Sequence, residues 1–277
     1  MAEKLVPCLY QCFLFQMKTI ELVPVEHSYK IGDQPLENPP TFIGDAMFTQ
    51  DGEPVGFYIE RIPERLKKLT DIADYELNSK RVPKSVMKRS SSLIGNPVLQ
   101  HSCIIGSVPP KPHMRRAYAT RSSVHGVKTA QTFVKAMTLA GKEALSIIES
   151  VSPQLYDIHK TAVEKSVPKE WRFCDHFTSS ISNFNIAAAI HRDNLNVKGA
   201  LNVIITKRRN SKGGNLYLPD YDTTINCAND SMLVYPAWRN MHGVTPIVPT
   251  HSGGYRNSLV WYALDAFKDQ KGLKPNE

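Results

Sequence analysis

Residues 190–194 read Ile-His-Arg-Asp-Asn and place an imidazole and a carboxylate two positions apart. If this stretch lies at the end of a strand, His191 and Asp193 point to the same side, because strand side chains alternate between faces. One more His would complete a set of two His and one carboxylate, which suits Fe(II) and leaves coordination positions open. A lone His-x-Asp triplet often arises by chance, so this interpretation depends on residues further along the chain.

A second His and an Arg come later, in order. His242 lies 49 residues after Asp193, and Arg256 lies 14 residues after His242. An Arg buried in an apolar strand is costly unless it meets an anion, and its planar guanidinium can bind a carboxylate through two hydrogen bonds. Ser258 shares the strand face of Arg256 and would add a hydroxyl donor. His251 is the alternative to His242, but its Pro-Thr-His-Ser-Gly-Gly context is typical of a turn.

The segments that carry these residues are short, apolar and β-branched, with polar turns between them. Strands are predicted over residues 199–206, 215–219, 230–235, 241–244 and 254–264. Their spacing favours an all-β barrel or jelly roll. Earlier patterns predict helices over 63–74, 127–150 and 152–163, a hairpin around Asp51-Gly52, and an irregular stretch over 81–118.

This order of motifs resembles the double-stranded β-helix of 2-oxoglutarate and Fe(II)-dependent dioxygenases. Within that family, the sequence resembles the branch that includes the ten-eleven-translocation (TET) and base-J-binding-protein (JBP) oxygenases. The motifs that carry this resemblance are H-R-D-N-x-N, G-G-x-L-x-L-P-x-Y, H-G-V-x-P and G-Y-R-x-S-x-V-x-Y. Those enzymes oxidise the methyl group of 5-methylcytosine or thymine in DNA. The resemblance covers roughly residues 183–264.

The resemblance implies a mainly β fold with flanking helices around a double-stranded β-helix (jelly-roll) core. It also implies that His191, Asp193 and His242 bind Fe(II). Arg256, together with Ser258, would bind the distal carboxylate of 2-oxoglutarate. With dioxygen as the other cosubstrate, 2-oxoglutarate would be converted to succinate and carbon dioxide while the substrate methyl group is hydroxylated. The protein then supplies position and a shielded site, and the metal supplies the chemistry.

Five asparagines are candidates for contacts around the metal, the cosubstrate or the substrate: Asn183, Asn185, Asn194, Asn196 and Asn202. The first two lie an even number of positions before His191. If one unbroken strand connects them, their side chains point to the same face as His191, towards the barrel interior. The next two lie just after Asp193 and are expected to orient its carboxylate. The last lies on the following strand. Ordinary structural hydrogen bonds and turn chemistry are the alternatives for all five.

The charge distribution favours a polyanionic partner. The net charge is +8, and residues 80–135 include eleven Lys and Arg but no Asp or Glu, whereas solvated surfaces normally mix both signs. An enzyme that acts on a base in duplex DNA must flip that base out and hold the strands by their phosphates. A basic loop without a nucleic-acid role is the alternative. The candidate DNA contacts are Arg115, Arg116, Arg121, Lys128, Tyr118 and His125.

Length and composition fit a globular chain of 277 residues, 42% of them hydrophobic and 22% charged. An N-terminal α/β elaboration is expected over 1–125 and the helix-supported core over 126–277, together as one compact monomer. The sequence has no apolar run of 18 residues and no clear signal peptide, so no membrane contact is expected. The five cysteines lack a paired metal spacing, which favours a reduced, intracellular protein, nuclear or, in a prokaryote or virus, cytoplasmic.

Together these features predict a dioxygenase that oxidises the methyl group of a methylated pyrimidine in DNA, with 5-methylcytosine favoured over thymine and the base flipped out. Two alternatives stay open. The first is a protein or small-molecule hydroxylase on the same fold. The second is a nucleic-acid-binding barrel that has lost catalysis. Salt-sensitive DNA binding and the release of succinate would separate the three.

Overall fold

Residues 17–89, 100–111 and 116–270 are described by the structure, a computed structural model of the chain. In chain order its strands are β1 (Lys18–Glu21), β2 (Ala46–Gln50), β3 (Glu53–Ile59), β4 (Lys88–Arg89), β5 (His101–Val108), β6 (Thr120–Arg121), β7 (Ser179–Phe184), β8 (Ala188–His191), β9 (Asn202–Arg209), β10 (Ser211–Gly213), β11 (Leu216–Leu218), β12 (Thr223–Ile225), β13 (Ser231–Tyr235), β14 (His242–Val244), β15 (Ile247–Pro249) and β16 (Tyr255–Tyr262). Its α-helices are α1 (Glu64–Asn78), α2 (Gln131–Val151) and α3 (Pro153–Ser166). Short 3-10 helices lie at Lys84–Val86, Ser123–Gly126, Lys128–Ala130, Lys169–Trp171, Pro219–Tyr221 and Asp265–Phe267.

Two facing sheets form the barrel. The large sheet has ten strands in the order β1-β2-β3-β13-β9-β16-β7-β5-β4, with β6 pairing to β5, and the small sheet has the order β12-β11-β14-β8. From β7 to β16 the chain crosses repeatedly between β13-β9-β16-β7 and the small sheet, and the strand pairs within both groups are antiparallel. This is the double-stranded β-helix that the sequence predicted.

The segment before the core extends the large sheet at both ends. Strands β1, β2 and β3 continue it beyond β13, and β4, β5 and β6 continue it beyond β7. The predicted hairpin is the β2–β3 pair, in which Asp51 and Gly52 have φ values of 53° and 78°. Positive φ at both central residues is what the type I′ two-residue hairpin turn requires.

The two faces of the large sheet have different neighbours because side chains alternate along each strand. The outward-facing set packs into a core shared with α1 and α2, and it includes Val203, Ile205, Leu259 and Trp261. The ring of Trp261 donates from Nε1 to the Met137 carbonyl oxygen at 3.1 Å. Gly141 leaves space for this ring, since a Cβ there would lie 2.6 Å from Nε1. The opposite face is thereby left to the barrel interior.

The predicted helices are confirmed as α1, α2 and α3, with bounds within a few residues of those expected. One prediction was wrong, because residues 81–118 are not irregular throughout: β5 lies within them and pairs with β7 along six positions. Its apolar residues Cys103, Ile104 and Ile105 form too short a run to stand out between prolines, and the pairing that stabilises the strand comes from a distant segment. No helix in the described ranges is both long and apolar enough to cross a membrane.

A buried imidazole ties α3 to the barrel. His159 is fully buried, and its Nδ1 accepts a hydrogen bond from the Leu201 N–H at 3.0 Å. Burial, together with the nearby His176, lowers the pKa of His159 to about 3. The native state therefore keeps this ring neutral over a pH range in which the unfolded chain, with a His pKa of about 6.5, takes up a proton.

We predict that this ring makes the free energy of unfolding fall as the pH falls below about 6.5, by up to about 1.4 kcal/mol per pH unit. Above that pH both states hold the ring neutral, so its contribution is constant. In His159→Asn the amide oxygen can still accept from Leu201 but does not titrate. Urea unfolding of both proteins between about pH 7 and pH 5 checks this. Parallel pH profiles for the two proteins would contradict it.

Candidate metal centre and cosubstrate cavity

Strand pairing brings two imidazoles together. His191 ends β8, His242 begins β14, and the two residues lie opposite one another in the antiparallel ladder. Residues directly opposite in such a ladder point to the same face, and the two ring centroids are 4.2 Å apart. The position of the second His is therefore fixed by the fold, although the two residues are far apart in sequence.

Each ring is oriented by the carbonyl two residues before it. Nδ1 of His191 lies 2.7 Å from the Ala189 oxygen, and Nδ1 of His242 lies 3.1 Å from the Asn240 oxygen. A carbonyl oxygen only accepts, so both Nδ1 atoms carry a proton, and in the neutral form each ring presents the lone pair of Nε2. Burial and the neighbouring His191 lower the pKa of His242 to about 4, which keeps it in the neutral form that binds a metal.

The carboxylate is oriented by two amides. Asp193 lies just after β8, and its N–H donates to the Ala237 oxygen at 3.2 Å. Its Oδ2 accepts hydrogen bonds from Nδ2 of Asn202 at 3.0 Å and of Asn196 at 3.3 Å, and the second amide also donates to the first at 2.8 Å. The other oxygen, Oδ1, lies 3.6 Å from Nε2 of His191. One carboxylate oxygen is thus held by the protein while the other faces the imidazoles.

Ligand atoms of His191, Asp193 and His242 all lie within 4.8 Å of one another. Two neutral imidazole nitrogens and one carboxylate oxygen are a donor set that fits Fe(II). The alternative ligand, His251, lies elsewhere in an exposed turn, with Nδ1 3.2 Å from the Thr250 hydroxyl. The preference for His242 over His251 agrees with this placement.

A cavity of about 670 Å³ opens beside these three side chains, between the two sheets. Asn183, Arg256 and Ser258 of the large sheet also line it. The side chain of Arg256 is buried, and its Nε and Nη1 have no hydrogen-bond partner among the described residues. Because an unpaired buried cation costs several kcal/mol, this guanidinium is arranged to meet an anion. A small carboxylate in the cavity would satisfy it.

The position of Arg256 is set by its neighbours. The Arg256 N–H donates to Oδ1 of Asn185 at 2.9 Å, and the Asn185 N–H donates to the Arg256 carbonyl oxygen at 2.7 Å. Gly214 leaves space for the side chain, since a Cβ there would lie 2.5 Å from Cδ of Arg256. Arg208 lies opposite in the β9–β16 ladder, and burial together with Arg256 lowers the pKa of Arg208. A second cation makes an anionic ligand still more favourable.

The asparagines do not all lie where the sequence placed them. The prediction for Asn185 was wrong: its φ of 55° ends β7, β8 begins three residues later, and the side chain supports Arg256 instead of entering the cavity. Asn194 is exposed at the cavity rim and is not one of the amides that hold Asp193. Asn202, a candidate for contact with the substrate or with a metal ligand, orients the carboxylate of Asp193. Asn183 does line the cavity.

Two residues of the site gave no usable signal in the sequence. Tyr235 lines the cavity, and its ring lies nearly perpendicular to that of His242 at a centroid distance of 5.5 Å. Gly214 belongs to the G-G-x-L-x-L-P-x-Y motif, but nothing in the sequence indicated its role, which is to leave space for the side chain of Arg256. Both act through contacts with segments that are distant in sequence.

Two of the predicted DNA contacts are used inside the protein. Nε2 of His125 accepts a hydrogen bond from the Gly106 N–H at 2.9 Å, and burial with the nearby Arg121 lowers the pKa of His125 to about 4. The ring therefore accepts a hydrogen bond within the protein, contrary to the prediction that it contacts DNA. The guanidinium of Arg121 donates to the Ser107 hydroxyl at 2.9 Å and to the backbone carbonyl oxygen of Glu170 at 3.2 Å.

The remaining candidates for DNA contact differ in exposure. Tyr118 and Lys128 are exposed, and contact between them and DNA stays a prediction. Arg116 lines a separate groove beyond β7. Arg115 lies outside the described residues.

Comparison with known proteins identifies the fold. No protein-family model matches the chain, and no curated protein matches it. The structure of NgTET1 in complex with 5mC DNA matches with a TM-score of 0.61 and 13% sequence identity, over 95% of this chain and 88% of that chain.

Two further matches are weaker. A 2OG-Fe(II) oxygenase family oxidoreductase from Burkholderia pseudomallei has a TM-score of 0.44 at 12% identity, over 73% of this chain and 83% of that chain. A prolyl hydroxylase from Trichoplax adhaerens, in complex with a hypoxia inducible factor peptide, has a TM-score of 0.43 at 13% identity, over 78% of this chain and 86% of that chain. Over 95% of its length this chain therefore shares the fold of NgTET1, with the double-stranded β-helix at its centre.

Proposed function

We propose that this chain is a 2-oxoglutarate- and Fe(II)-dependent dioxygenase that oxidises the methyl group of a methylated pyrimidine in DNA, 5-methylcytosine in preference to thymine. The observation that carries the proposal is a single cavity that contains both the His-Asp-His cluster and the unpartnered guanidinium of Arg256. This pair matches a ligand that binds a metal at one end and a cation at the other. 2-Oxoglutarate is such a ligand, with a 2-oxo acid at one end and a carboxylate at the other.

Each part of the chain has a distinct task in this reaction. His191, Asp193 and His242 would hold the iron, which when bound supplies the activation of dioxygen coupled to conversion of 2-oxoglutarate into succinate and carbon dioxide. Arg256 fixes the far carboxylate, and Ser258 on the same strand face adds a hydroxyl donor. Apolar side chains form part of the cavity wall. They include Ile181, Ile204, Leu216, Val244 and Val260.

Two observations support DNA as the substrate. NgTET1, which shares the fold over 95% of this chain, is described in complex with 5mC DNA. The present chain has a net charge of +8 and an acid-free basic stretch over residues 80–135. The cavity, at about 670 Å³, is within the size range of pockets that enclose small ligands, and a flipped base would have to enter it.

Mass spectrometry of nucleosides tests the proposal. The chain, supplied with Fe(II), 2-oxoglutarate and dioxygen, is incubated with methylated and unmethylated DNA of one sequence. We expect an oxidised methyl group and one succinate per oxidation with methylated DNA only, and neither with Asp193→Ala, because two imidazoles alone hold the ion poorly. Succinate without any changed nucleoside would point to a protein or small-molecule substrate. DNA binding without succinate would point to a barrel that has lost catalysis.

The amide that orients Asp193 gives a second prediction. Asn202→Ala removes the 3.0 Å hydrogen bond to Oδ2, so the carboxylate is less well held for the metal. We expect affinity for Fe(II) to fall by roughly tenfold to a hundredfold, as is usual when such an outer partner is lost. Anaerobic titration with Fe(II) or Co(II) measures this. Asn194→Ala, at the exposed rim, is the matched control and should bind the metal like the wild type; equal affinities for all three proteins would remove Asn202 from this role.

The cosubstrate clamp gives a third prediction. Arg256→Lys keeps the charge but loses the planar fork with its two parallel donors. We expect the 2-oxoglutarate concentration for half-maximal succinate formation to rise by roughly tenfold or more, with DNA affinity nearly unchanged. The exposed neighbour Arg209 supplies the control, Arg209→Lys. An unchanged requirement in Arg256→Lys would show that the far carboxylate binds elsewhere.

A further inference from the structure

A groove of about 460 Å³ lies at the edge of the large sheet, where β4, β5 and β6 meet. Four cationic side chains line it, and none of the described residues in its walls is acidic. These four, Lys88, Lys111, Arg116 and Arg121, make no ion pair with any described carboxylate. A concave cationic surface of this kind is complementary to an anion.

The cations are held together against their mutual repulsion. Lys111 and Arg116 exchange backbone hydrogen bonds of 2.6 and 3.1 Å, which fixes the two side chains next to one another. Nε of Arg116 is buried without a partner among the described residues, while Nη2 donates to the Pro109 carbonyl oxygen. The ammonium of Lys88, burial and then Arg116 lower the pKa of Lys111. An anion between these groups would relieve the repulsion and satisfy the orphaned Nε.

The groove lies on the same sheet face as the metal cavity. Lys88 lies opposite Ser102 on β5, Ser102 opposite Asn183 on β7, and Asn183 opposite Ser258 on β16. Directly opposite residues in antiparallel strands point to one face, and Asn183 and Ser258 line the cavity. Three strand spacings separate Lys88 from Ser258, about 14 Å. This distance equals the axial rise of roughly four base-pair steps of B-form DNA.

We propose that this groove binds a phosphodiester of the DNA strand whose base enters the cavity, an inference that rests on the proposed function. A planar guanidinium and two ammonium groups are the side chains that bind phosphate oxygens best. The groove is far enough from the iron ligands to contact the backbone some nucleotides away from the reacting base. It therefore positions DNA without touching the reacting atoms.

Matched variants test the groove. The groove variant replaces three cations by Gln: Lys88, Lys111 and Arg116. A milder variant replaces only the two lysines, whose loss relieves repulsion and leaves the Arg116 hydrogen bond to Pro109 in place. The control variant makes the same change of charge on exposed positions of the helices: Lys68, Lys142 and Lys165. The substrates are a methylated duplex of roughly one helical turn and a methylated dinucleotide, which is too short to reach the groove.

We expect the groove variant to bind the duplex roughly tenfold more weakly at moderate salt and to flatten the log–log salt dependence by about one to two units, with the lysine pair intermediate. The control variant should bind the duplex with nearly the affinity and the salt dependence of the wild type. Oxidation of the dinucleotide should be the same in all of them, because the iron and 2-oxoglutarate residues are untouched.

The groove and the proposed function can fail separately. If all the variants oxidise the duplex at the rate of the wild type and bind it with the same salt dependence, the groove is not a phosphate site and the proposed function stands. If the wild type neither binds nor oxidises methylated DNA, the function fails and the phosphodiester assignment fails with it. Binding of pyrophosphate that is lost in the groove variant, with DNA binding unchanged, would assign the groove to a small phosphate ligand and overturn the proposal.

Discussion

The pairing register of four strands decides where every candidate ligand lies. In the small sheet, β8 and β14 place His191 opposite His242. In the large sheet, β9 and β16 place Arg256 opposite Arg208 and Ser258 opposite Thr206. Because strand side chains alternate, a slip of one residue moves each of them to the other face. Arg256 would then leave the cavity and point to the face that packs on α1 and α2, away from the three metal-ligand candidates.

A polar contact with α1 stabilises the register of β16. Tyr255 and Asn257 flank Arg256 and point to the opposite face, where both donate to the buried carboxylate of Asp74, at 2.5 and 2.8 Å. Ser182 on β7 donates to Asn257 in turn, at 2.7 Å. Burial raises the pKa of Asp74, so its carboxylate depends on these donors. A slipped strand would leave them unmatched, at a cost of about 1–3 kcal/mol for each buried polar group. The outer core thus specifies which residue enters the cavity.

The parts of the site that could be predicted from the sequence are those set by local rules. Residues two positions apart in extended backbone point to one side. This was enough to pair His191, at the end of β8, with Asp193 just after it, and Arg256 with Ser258 on β16. The helices and the Asp51-Gly52 turn are predictable in the same way from periodicity and turn chemistry. The remaining features depend on partners far away in the chain. β5 is stabilised by pairing with β7, and the orienting role of Asn202 exists only because the fold brings it to the carboxylate.

The two cationic sites on the inner face differ in what burial does to them. Arg256 is 2% exposed, so its attraction for a carboxylate acts through a medium of low dielectric and is little screened by salt. Lys88 is exposed and Lys111 and Arg116 are partly exposed, so ions from solution compete with any phosphate there. The first arrangement suits one small ligand of fixed shape. The second suits a long polyanion that must bind, move and leave. The two sites on one sheet face thus differ in screening, because added salt weakens the attraction of the exposed groove for a polyanion much more than that of the buried guanidinium for a small anion.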